Sequence, residues 1–303
     1  MRVAITGATG FIGRNLVPAL QGSGHDVVGI GRSPMGREAL AASRGRYEVT
    51  DYSRDDLARK LVGVDAIIHL AGRRSQRSDA PLTVAPFINA NIGLLETLLD
   101  AASSSGVQRF IFASSIAVYS SANSSPYCEG DRVLGLNPYG LSKIAGEALV
   151  DLWARAGQMR TTVLRLAAGF GYGERPSAVL MRFLDQATRG DPLIVRGNRN
   201  LGIDQVYSRD IVAAFEAALH ANTCQGLFNI GAGRAYTLGE MALAVNDVFG
   251  RRSGVQFDDV PASDAPAPYM NINAAAEGLG WRPEWPLERA LADFHDKCAQ
   301  QRR

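Results

Sequence analysis

Short apolar runs alternate with helical patterns through the first half of the chain, and this alternation limits the fold more than any other feature. Six runs have the composition of buried strands: Arg2–Thr6, Asp26–Ile30, Tyr47–Thr50, Ala66–Leu70, Arg109–Ala113 and Thr161–Leu166. Helical patterns separate them, at Phe11–Gln21, Arg37–Ser43, Arg54–Leu61, within Val84–Ser105 and at Tyr139–Ala156. Strands that alternate with helices form a parallel sheet covered on both faces. The sequence therefore predicts an α/β fold with a doubly wound parallel sheet.

The chain of 303 residues is long enough for this sheet and a smaller α/β lobe. We assign residues 1–166 to the first domain. We add about 202–220 to it, because Gln205–Leu219 has the pattern of a strand and a helix that return to that domain. The second, mostly C-terminal lobe is then formed by about 167–201 and 221–303.

Charge and cysteine content exclude several classes of function. The 32 basic and 30 acidic residues nearly balance, so we expect no nucleic-acid partner and no membrane surface. The three cysteines, Cys128, Cys224 and Cys298, form no CxxC pair, and together with the four histidines they lack zinc spacing; we predict no metal site. The first strand begins at Arg2, which leaves no room for a signal peptide, so none is expected. With no membrane-length apolar run, a cytoplasmic location is expected.

Three glycines at a spacing of three follow the first strand: Gly7, Gly10 and Gly13. Phe11 and Ile12 begin the helical pattern among them. Gly7 suits the turn, Gly10 allows the backbone to approach a phosphate, and Gly13 allows close packing of helix on strand. The helix N-terminus offers N–H groups and the positive end of its dipole. This Rossmann-type turn predicts that a dinucleotide pyrophosphate binds here.

The second strand ends at Gly31, Arg32 and Ser33, where enzymes selective for NAD usually carry a carboxylate. A guanidinium instead suits the 2′-phosphate of NADP, because it binds phosphate in a bidentate manner. Arg32 therefore favours NADP over NAD. A solvated arginine, or one stacked on adenine, is the alternative.

Further candidates follow the third and fourth strands. Asp51, beside Tyr52, is a candidate acceptor for the adenine amino group or a helix N-cap. Leu70, Ala71 and Gly72 are small residues at the carboxyl edge of the sheet, where ligands bind in such folds. His69 is expected in the core. Asn91, within a helical pattern, either ties helix to strand or lies on the surface.

A serine, a tyrosine and a lysine form the catalytic candidates. Ser115 closes the fifth strand, while Tyr139 and Lys143 follow Pro138 at the start of a helix. Their i, i+4 spacing puts them on one helix face. To act as a base near pH 7, a tyrosine needs its pKa lowered by roughly three units, and an ammonium about 4 Å away supplies that much. We expect Lys143 to activate Tyr139 and hold the nicotinamide ribose, and Ser115 to bond the reacting oxygen.

These motifs resemble those of the extended short-chain dehydrogenases/reductases, the NAD(P)-dependent sugar epimerases, dehydratases and reductases. The resemblance spans nearly the whole chain: Thr6–Gly13, His69–Gly72, Ala113–Tyr119, Tyr139–Lys143, Leu164–Leu166, Gly171–Gly173, Phe228–Gly233 and Leu279–Pro283. It implies that Tyr139 transfers the proton, with Lys143 and Ser115 in the roles given above. It also places Gly7, Gly10, Phe11, Ile12, Arg32, Asp51, Leu70, Ala71 and Asn91 at cofactor positions. A homodimer through the Val84–Ser105 and Tyr139 helices is implied as well.

Departures from the family pattern narrow the reaction. The 4,6-dehydratases carry Asp-Glu after the catalytic serine or threonine, and here Ile116 and Ala117 cannot move protons. Dehydration is not expected. A cysteine at Ile116, used for 3,5-epimerisation, is also missing. The second half lacks family residues for a diphosphate, with Ala168, Ile203 and Val260–Pro268 at those positions. Arg73, Arg182, Arg199, Ser115 and Ile116 are the candidate substrate contacts.

The sequence thus predicts an NAD(P)-dependent enzyme that moves a hydride at a secondary alcohol or keto carbon of a sugar, nucleotide-linked in the first hypothesis. Its type is 4-epimerase or 4-keto reductase. The alternative is an NADP-dependent reductase or dehydrogenase of a non-nucleotide carbonyl or sugar acid. A third hypothesis is an NADP-sensing protein without turnover.

Overall fold

The computed structural model describes residues 1–41, 45–75, 82–135, 137–157, 159–176, 178–221, 225–250, 254–258 and 267–300. Its strands are β1 Arg2–Thr6, β2 Asp26–Gly31, β3 Arg46–Val49, β4 Ala66–His69, β5 Arg109–Ser115, β6 Arg160–Leu166, β7 Ala168–Phe170, β8 Leu193–Arg196, β9 Gly202–Ile203, β10 Gln205–Tyr207, β11 Gly226–Ile230, β12 Tyr236–Thr237 and β13 Val255–Asp258. Its α-helices are α1 Phe11–Gly22, α2 Gly36–Ala41, α3 Arg54–Lys60, α4 Ala85–Phe87, α5 Leu94–Ser104, α6 Pro138–Arg155, α7 Val179–Arg189, α8 Ser208–His220, α9 Leu238–Val248, α10 Asn273–Leu279 and α11 Leu287–Gln300.

Seven parallel strands form the central sheet, in the order β11-β6-β5-β4-β1-β2-β3. The strand order reverses between β1 and β4. In open α/β sheets a ligand crevice forms outside the carboxyl ends of the strands at such a reversal. The predicted doubly wound α/β fold is confirmed, and each of the six predicted strands lies in this sheet.

Alternate residues of β1 supply the two faces of this sheet. Val3 and Ile5 pack into a core that contains Leu16 of α1 and Phe215 of α8. Ala4 points to the other face, whose core contains Leu98 of α5. Successive side chains of a strand point to opposite sides, so the continuous apolar run of β1 marks a strand buried on both faces.

One strand that the prediction places in the second lobe, within residues 221–303, belongs to the central sheet. This strand is β11, which pairs with β6 along its whole length, from Gly226 opposite Thr162 to Ile230 opposite Leu166. β10 pairs with β7 in a separate two-stranded sheet, whereas α8 packs against α1 as expected. The remaining division into two lobes stays a prediction.

Three two-stranded sheets and several helices follow β6. β7 pairs with β10, β8 with β13, and β9 with β12. A third apolar core joins α7, α9 and α11, with Phe183, Met241 and Leu291 among its buried residues. Among the helices of the described ranges, none combines the length and apolar character needed to cross a bilayer.

The predicted helical stretch within Val84–Ser105 is not one regular helix. A π-helical segment, Ile88–Gly93, separates α4 from α5. The physical reason lies in its single buried polar residue, Asn91, whose side chain bonds neighbouring elements as described below. Parts of other predictions, namely residues 42–43, Cys224 and most of Val260–Pro268, lie outside the described residues.

Candidate active site

The glycine turn between β1 and α1 has the form that a pyrophosphate cradle requires. Gly7 has φ +71°, and a Cβ there would lie 2.8 Å from the backbone nitrogen of Ala71. A Cβ on Gly13 would overlap the Gly7 carbonyl and the Ala8 backbone. No side chain caps the N-terminus of α1, and its first turn holds no acidic residue. The first N–H groups of α1 therefore remain available to an anion.

The end of β2 carries an exposed arginine beside a tyrosine. The Arg32 guanidinium carbon lies 5.7 Å from the centre of the Tyr52 ring. Asp51 is not the N-cap of α3, because Ser53 holds that position and accepts from the Asp56 N–H. The Asp51 carboxylate instead accepts from the Ser53 N–H at 2.7 Å. Both Arg32 and Asp51 are exposed, while Tyr52 is half-buried.

Asn91 ties the loop after β4 to α6, which is one of the two alternatives drawn from the sequence. Its side-chain oxygen accepts from the Arg73 N–H at 2.7 Å. Its amide donates to the Arg73 carbonyl at 3.1 Å and to the Ser142 hydroxyl at 2.8 Å. The Ser142 hydroxyl donates in turn to the carbonyl of Tyr139. A Cβ on Gly72 would lie 3.1 Å from the Asn91 oxygen, so the loop approaches as closely as its glycine allows.

The fold brings the three catalytic candidates together. Ser115 ends β5, and its side chain interacts with Tyr139 in the sense that lowers the Tyr139 pKa. Helix α6 begins at Pro138, where the Asn137 side chain caps it by accepting from the Gly140 N–H. This start fixes Tyr139 in the first turn and Lys143 one turn later. The Lys143 ammonium donates to the Ala113 carbonyl at 2.7 Å.

Burial acts on the pKa of both Tyr139 and Lys143. It raises the pKa of Tyr139 above its ordinary value, although the Ser115 side chain and the Arg74 charge both lower it. It lowers the pKa of Lys143 to about 8, against the opposing effect of Glu147. The Lys143 ammonium lies 5.8 Å from the centre of the Tyr139 ring. Activation of Tyr139 by Lys143 stays a prediction.

Arg74 is a residue that the sequence analysis missed. Its guanidinium binds both oxygens of the Glu174 carboxylate, at 2.9 and 2.8 Å, and so joins the loop after β4 to the loop after β7. Its charge acts on Tyr139. A lone arginine after a strand gives no sequence signal, since its partner lies a hundred residues later.

A buried ion pair lies behind Lys143. Arg165 donates to both oxygens of Glu147, at 2.9 and 2.7 Å, and Glu147 also bonds the Ser114 hydroxyl. Glu147 follows Lys143 by one turn of α6, so it shares the helix face that the catalytic candidates use. A paired and hydrogen-bonded carboxylate avoids the cost of an isolated buried charge.

His69 is a core residue, as expected. Its Nδ1 lies 2.7 Å from the Thr6 hydroxyl, and its ring stacks on Phe112. Burial lowers the pKa of His69 to about 3, so the ring is neutral at pH 7. The Thr6 hydroxyl also accepts from the Ala71 N–H at 3.3 Å, which holds the start of the Leu70–Gly72 loop against β1.

The substrate-contact candidates are dispersed. Ile116 follows Ser115 in a short 3₁₀ turn, while the Arg73 guanidinium lies over the Phe87 ring. Arg182 is exposed on α7, and the Arg199 guanidinium lies over the Phe257 ring. Of this set, Ser115 is the member that acts on the pKa of Tyr139 among the described residues.

The chain matches the sequence profile of the NAD dependent epimerase/dehydratase family over residues 3–231. It is 28% identical to an uncharacterized UDP-glucose epimerase, YtcB, of Bacillus subtilis, with 97% of this chain and 96% of that protein covered. It is 25% identical to a dTDP-4-dehydro-6-deoxyglucose reductase of Escherichia coli, with 95% of each covered.

A solved structure repeats the fold. The UDP-glucuronic acid 4-epimerase of Bacillus cereus, in complex with UDP-glucuronic acid and NAD, superimposes with a TM-score of 0.85 at 25% identity. The match covers 99% of this chain and 100% of that one. On its sequence, its sheet and its glycine turn, the chain belongs to the NAD-dependent epimerase/dehydratase family of extended short-chain dehydrogenases/reductases.

Proposed function

We propose that the chain is an NAD(P)-dependent nucleotide-sugar 4-epimerase that acts at a secondary alcohol carbon. The observation that carries this proposal is that Ser115, at the carboxyl edge of the sheet, acts on the Tyr139 side chain and lowers its pKa. Lys143 lies one helical turn away, and the bare Gly7 turn lies at the strand-order reversal. A sugar between these groups has an acid–base residue and a cofactor within one crevice.

The residues present fit a dinucleotide. The Gly7 turn and the uncapped N-terminus of α1 suit its pyrophosphate, with Gly10, Phe11 and Ile12 supplying backbone there. Arg32, Ser33, Asp51 and Tyr52 would hold the adenosine end, while Leu70, Ala71, Gly72 and Asn91 would line the nicotinamide side. When bound, the nicotinamide supplies hydride exchange at the reacting carbon.

The chain's own residues handle the proton. During oxidation Tyr139 takes the proton of the sugar hydroxyl, and during reduction its protonated phenol returns a proton to the ketone oxygen. Ser115 holds that oxygen. Lys143 is mostly protonated at pH 7, because the pKa of about 8 lies above that pH, and it offers a positive charge beside the ribose.

Epimerisation is favoured over dehydration. Ile116 and Ala117 provide no acid or base for water elimination, and Ile116 packs against the apolar core. The similar proteins include a UDP-glucuronic acid 4-epimerase with NAD, which supports a UDP-sugar as substrate.

A second candidate is an NADP-dependent 4-keto reductase. Arg32 is exposed at the end of β2, where a guanidinium suits a 2′-phosphate. The similarity to a dTDP-4-dehydro-6-deoxyglucose reductase supports the same alternative. Cofactor retained by the purified protein separates the two, because an epimerase recycles its cofactor whereas a reductase must exchange it.

The experiment that tests the proposal uses Tyr139→Phe. We expect kcat for 4-epimerisation of UDP-glucose or UDP-glucuronic acid to fall by about 10²–10⁴, the usual contribution of a general acid–base residue. NAD affinity should stay near the wild-type value. Tyr236→Phe, in the second lobe, is the matched control and should retain its rate. Wild-type turnover by Tyr139→Phe would contradict the assignment, and oxidation of NADPH by a 4-keto sugar without epimerisation would establish the reductase.

We also propose that two copies associate through α5 and α6. Leu141 and Leu152 of α6 are exposed at 43% and 63%, so this helix presents two large apolar side chains to solvent. Light scattering on the purified protein should give a molecular mass twice that of one chain, which is 32.4 kDa. Leu152→Glu should shift it toward monomer, whereas Leu243→Glu, an exposed control on α9, should not. A wild-type monomer at micromolar concentration would refute the proposal.

A further inference from the structure

Two histidines and a glutamate meet at the edge of the sheet opposite the candidate active site. His25 lies between α1 and β2, while Glu216 and His220 lie one turn apart near the end of α8. Their ligand atoms all lie within 4.8 Å of one another. The spacing in the sequence gives no sign of this group, because packing of α8 on α1 brings together histidines 195 residues apart.

The distance between one nitrogen of each ring matches the spacing of two ligands on a shared metal ion. The His25 and His220 Nε2 atoms are 3.3 Å apart. Zn–N bonds of about 2.0–2.1 Å at tetrahedral angles separate two ligand nitrogens by about 3.3 Å. The Glu216 carboxylate, with an oxygen within 4.8 Å of both nitrogens, is the third candidate ligand. Two nitrogens and one oxygen form a donor set typical of zinc.

The group is also open to solvent on one side. The imidazole nitrogen of a histidine supplies the lone pair that binds a metal. His25 is buried, Glu216 is half-buried and His220 is exposed, so an ion can enter from solvent.

We propose that His25, Glu216 and His220 bind one divalent transition-metal ion of the zinc class, with solvent at the fourth position. The ion would tie the α1–β2 connection to the end of α8. It would lie at the amino edge of the sheet, away from Tyr139, so its role is in stability or assembly rather than in hydride transfer.

The test is metal binding by the tag-free full-length protein after removal of metal with a chelator. We expect one equivalent of Zn²⁺ to bind and Co²⁺ to give the intense visible absorption of a tetrahedral site. His220→Ala and Glu216→Gln should each weaken binding by at least about a hundred-fold, since loss of an outer-shell partner alone costs 10- to 100-fold. Zn²⁺ should raise the Tm of the wild type by a few degrees and leave that of His220→Ala unchanged.

His295→Ala is the matched control, because His295 is a half-exposed surface histidine on α11 with its own aspartate neighbour. It should bind zinc like the wild type. Equal binding by wild type and His220→Ala would overturn the proposal, as would no binding by the wild type at micromolar Zn²⁺. An octahedral Co²⁺ spectrum would also overturn it. These readouts do not depend on epimerase activity.

Discussion

Tyr139, the proposed proton-transfer residue, has a charge environment that residues of its own helix do not explain. Lys143, one turn away, donates to the Ala113 carbonyl, and the cation that lowers the Tyr139 pKa comes from a loop. Arg74 is itself held by Glu174, which offsets part of its charge. The pKa of Tyr139 therefore depends on charged residues in two loops, Arg74 after β4 and Glu174 after β7.

Removing the Arg74 charge should weaken the acidity of Tyr139. In Arg74→Gln the pKa of Tyr139 should rise, since a cation that favours the phenolate is lost, and the acidic limb of the pH–rate profile, where the phenolate forms, should move to higher pH. Because Arg74 is more than half exposed, we expect only a ~2–5-fold loss of kcat at pH 7, as for exposed charge pairs.

Glu174→Gln should move the profile in the opposite direction, because it removes the neutralising partner and leaves the guanidinium charge. Arg175→Gln, an exposed neighbour on the same loop, is the control. Shifts of the same sign in Arg74→Gln and Glu174→Gln would show that the pair acts by holding the loops rather than through charge.

At the scale of elements, the turn from β1 into α1 is the part that the sequence predicted best. Three glycines at a fixed spacing define the turn, and the structure uses two of them where a Cβ would collide with backbone. Strand positions were equally predictable, because continuous apolar runs between helical patterns have few other interpretations. The Arg74–Glu174 pair and the His25–His220 contact were not predictable, because each joins segments far apart in the sequence that only the finished fold brings together.

Gly7→Ala should be costly in two ways. A positive φ is strained for alanine, and its Cβ would press on the Ala71 backbone at 2.8 Å. We expect the free energy of unfolding to fall by about 2 kcal/mol or more and NAD affinity to fall with it. Gly22→Ala, at the exposed end of α1 with open space around it, is the control and should be neutral or stabilising by up to ~1 kcal/mol. Urea denaturation measures the free energy of unfolding, and titration measures the affinity for NAD. If Gly7→Ala and Gly22→Ala had the same stability and NAD affinity, this account of the turn would be contradicted.

At the scale of the whole molecule, one buried carboxylate connects segments from distant parts of the chain. Asp204, between β9 and β10, accepts from the Ala232 N–H at 2.7 Å and from the Met270 N–H at 3.1 Å. Burial raises the pKa of Asp204 to about 6, although these two hydrogen bonds lower it. The folded chain therefore binds a proton here more tightly than the unfolded chain does.

This carboxylate should make stability depend on pH with a definite sign. Because its folded pKa exceeds the unfolded value of 3.8, its contribution is largest below pH 4 and is lost as the pH rises to about 6. The loss amounts to about 3 kcal/mol. Asp204→Asn cannot titrate, so the difference in unfolding free energy between wild type and variant should change by that amount between pH 4 and 7. Exposed Asp191→Asn is the control, and a pH-independent difference for Asp204→Asn would contradict the assignment.

The π-helical segment before α5 changes the direction in which side chains on either side of it face, although the helix itself is continuous. Each residue of an α-helix advances the side-chain direction by about 100°. The wider turn at Ile88–Gly93 lets Asn91 face Ser142 while Leu95, Leu98 and Leu99 still face the sheet. A helix of uniform pitch would satisfy one of these requirements and misalign the other by a fraction of a turn. We expect deletion of a single residue there to rotate the Asn91 amide away from Ser142 on α6.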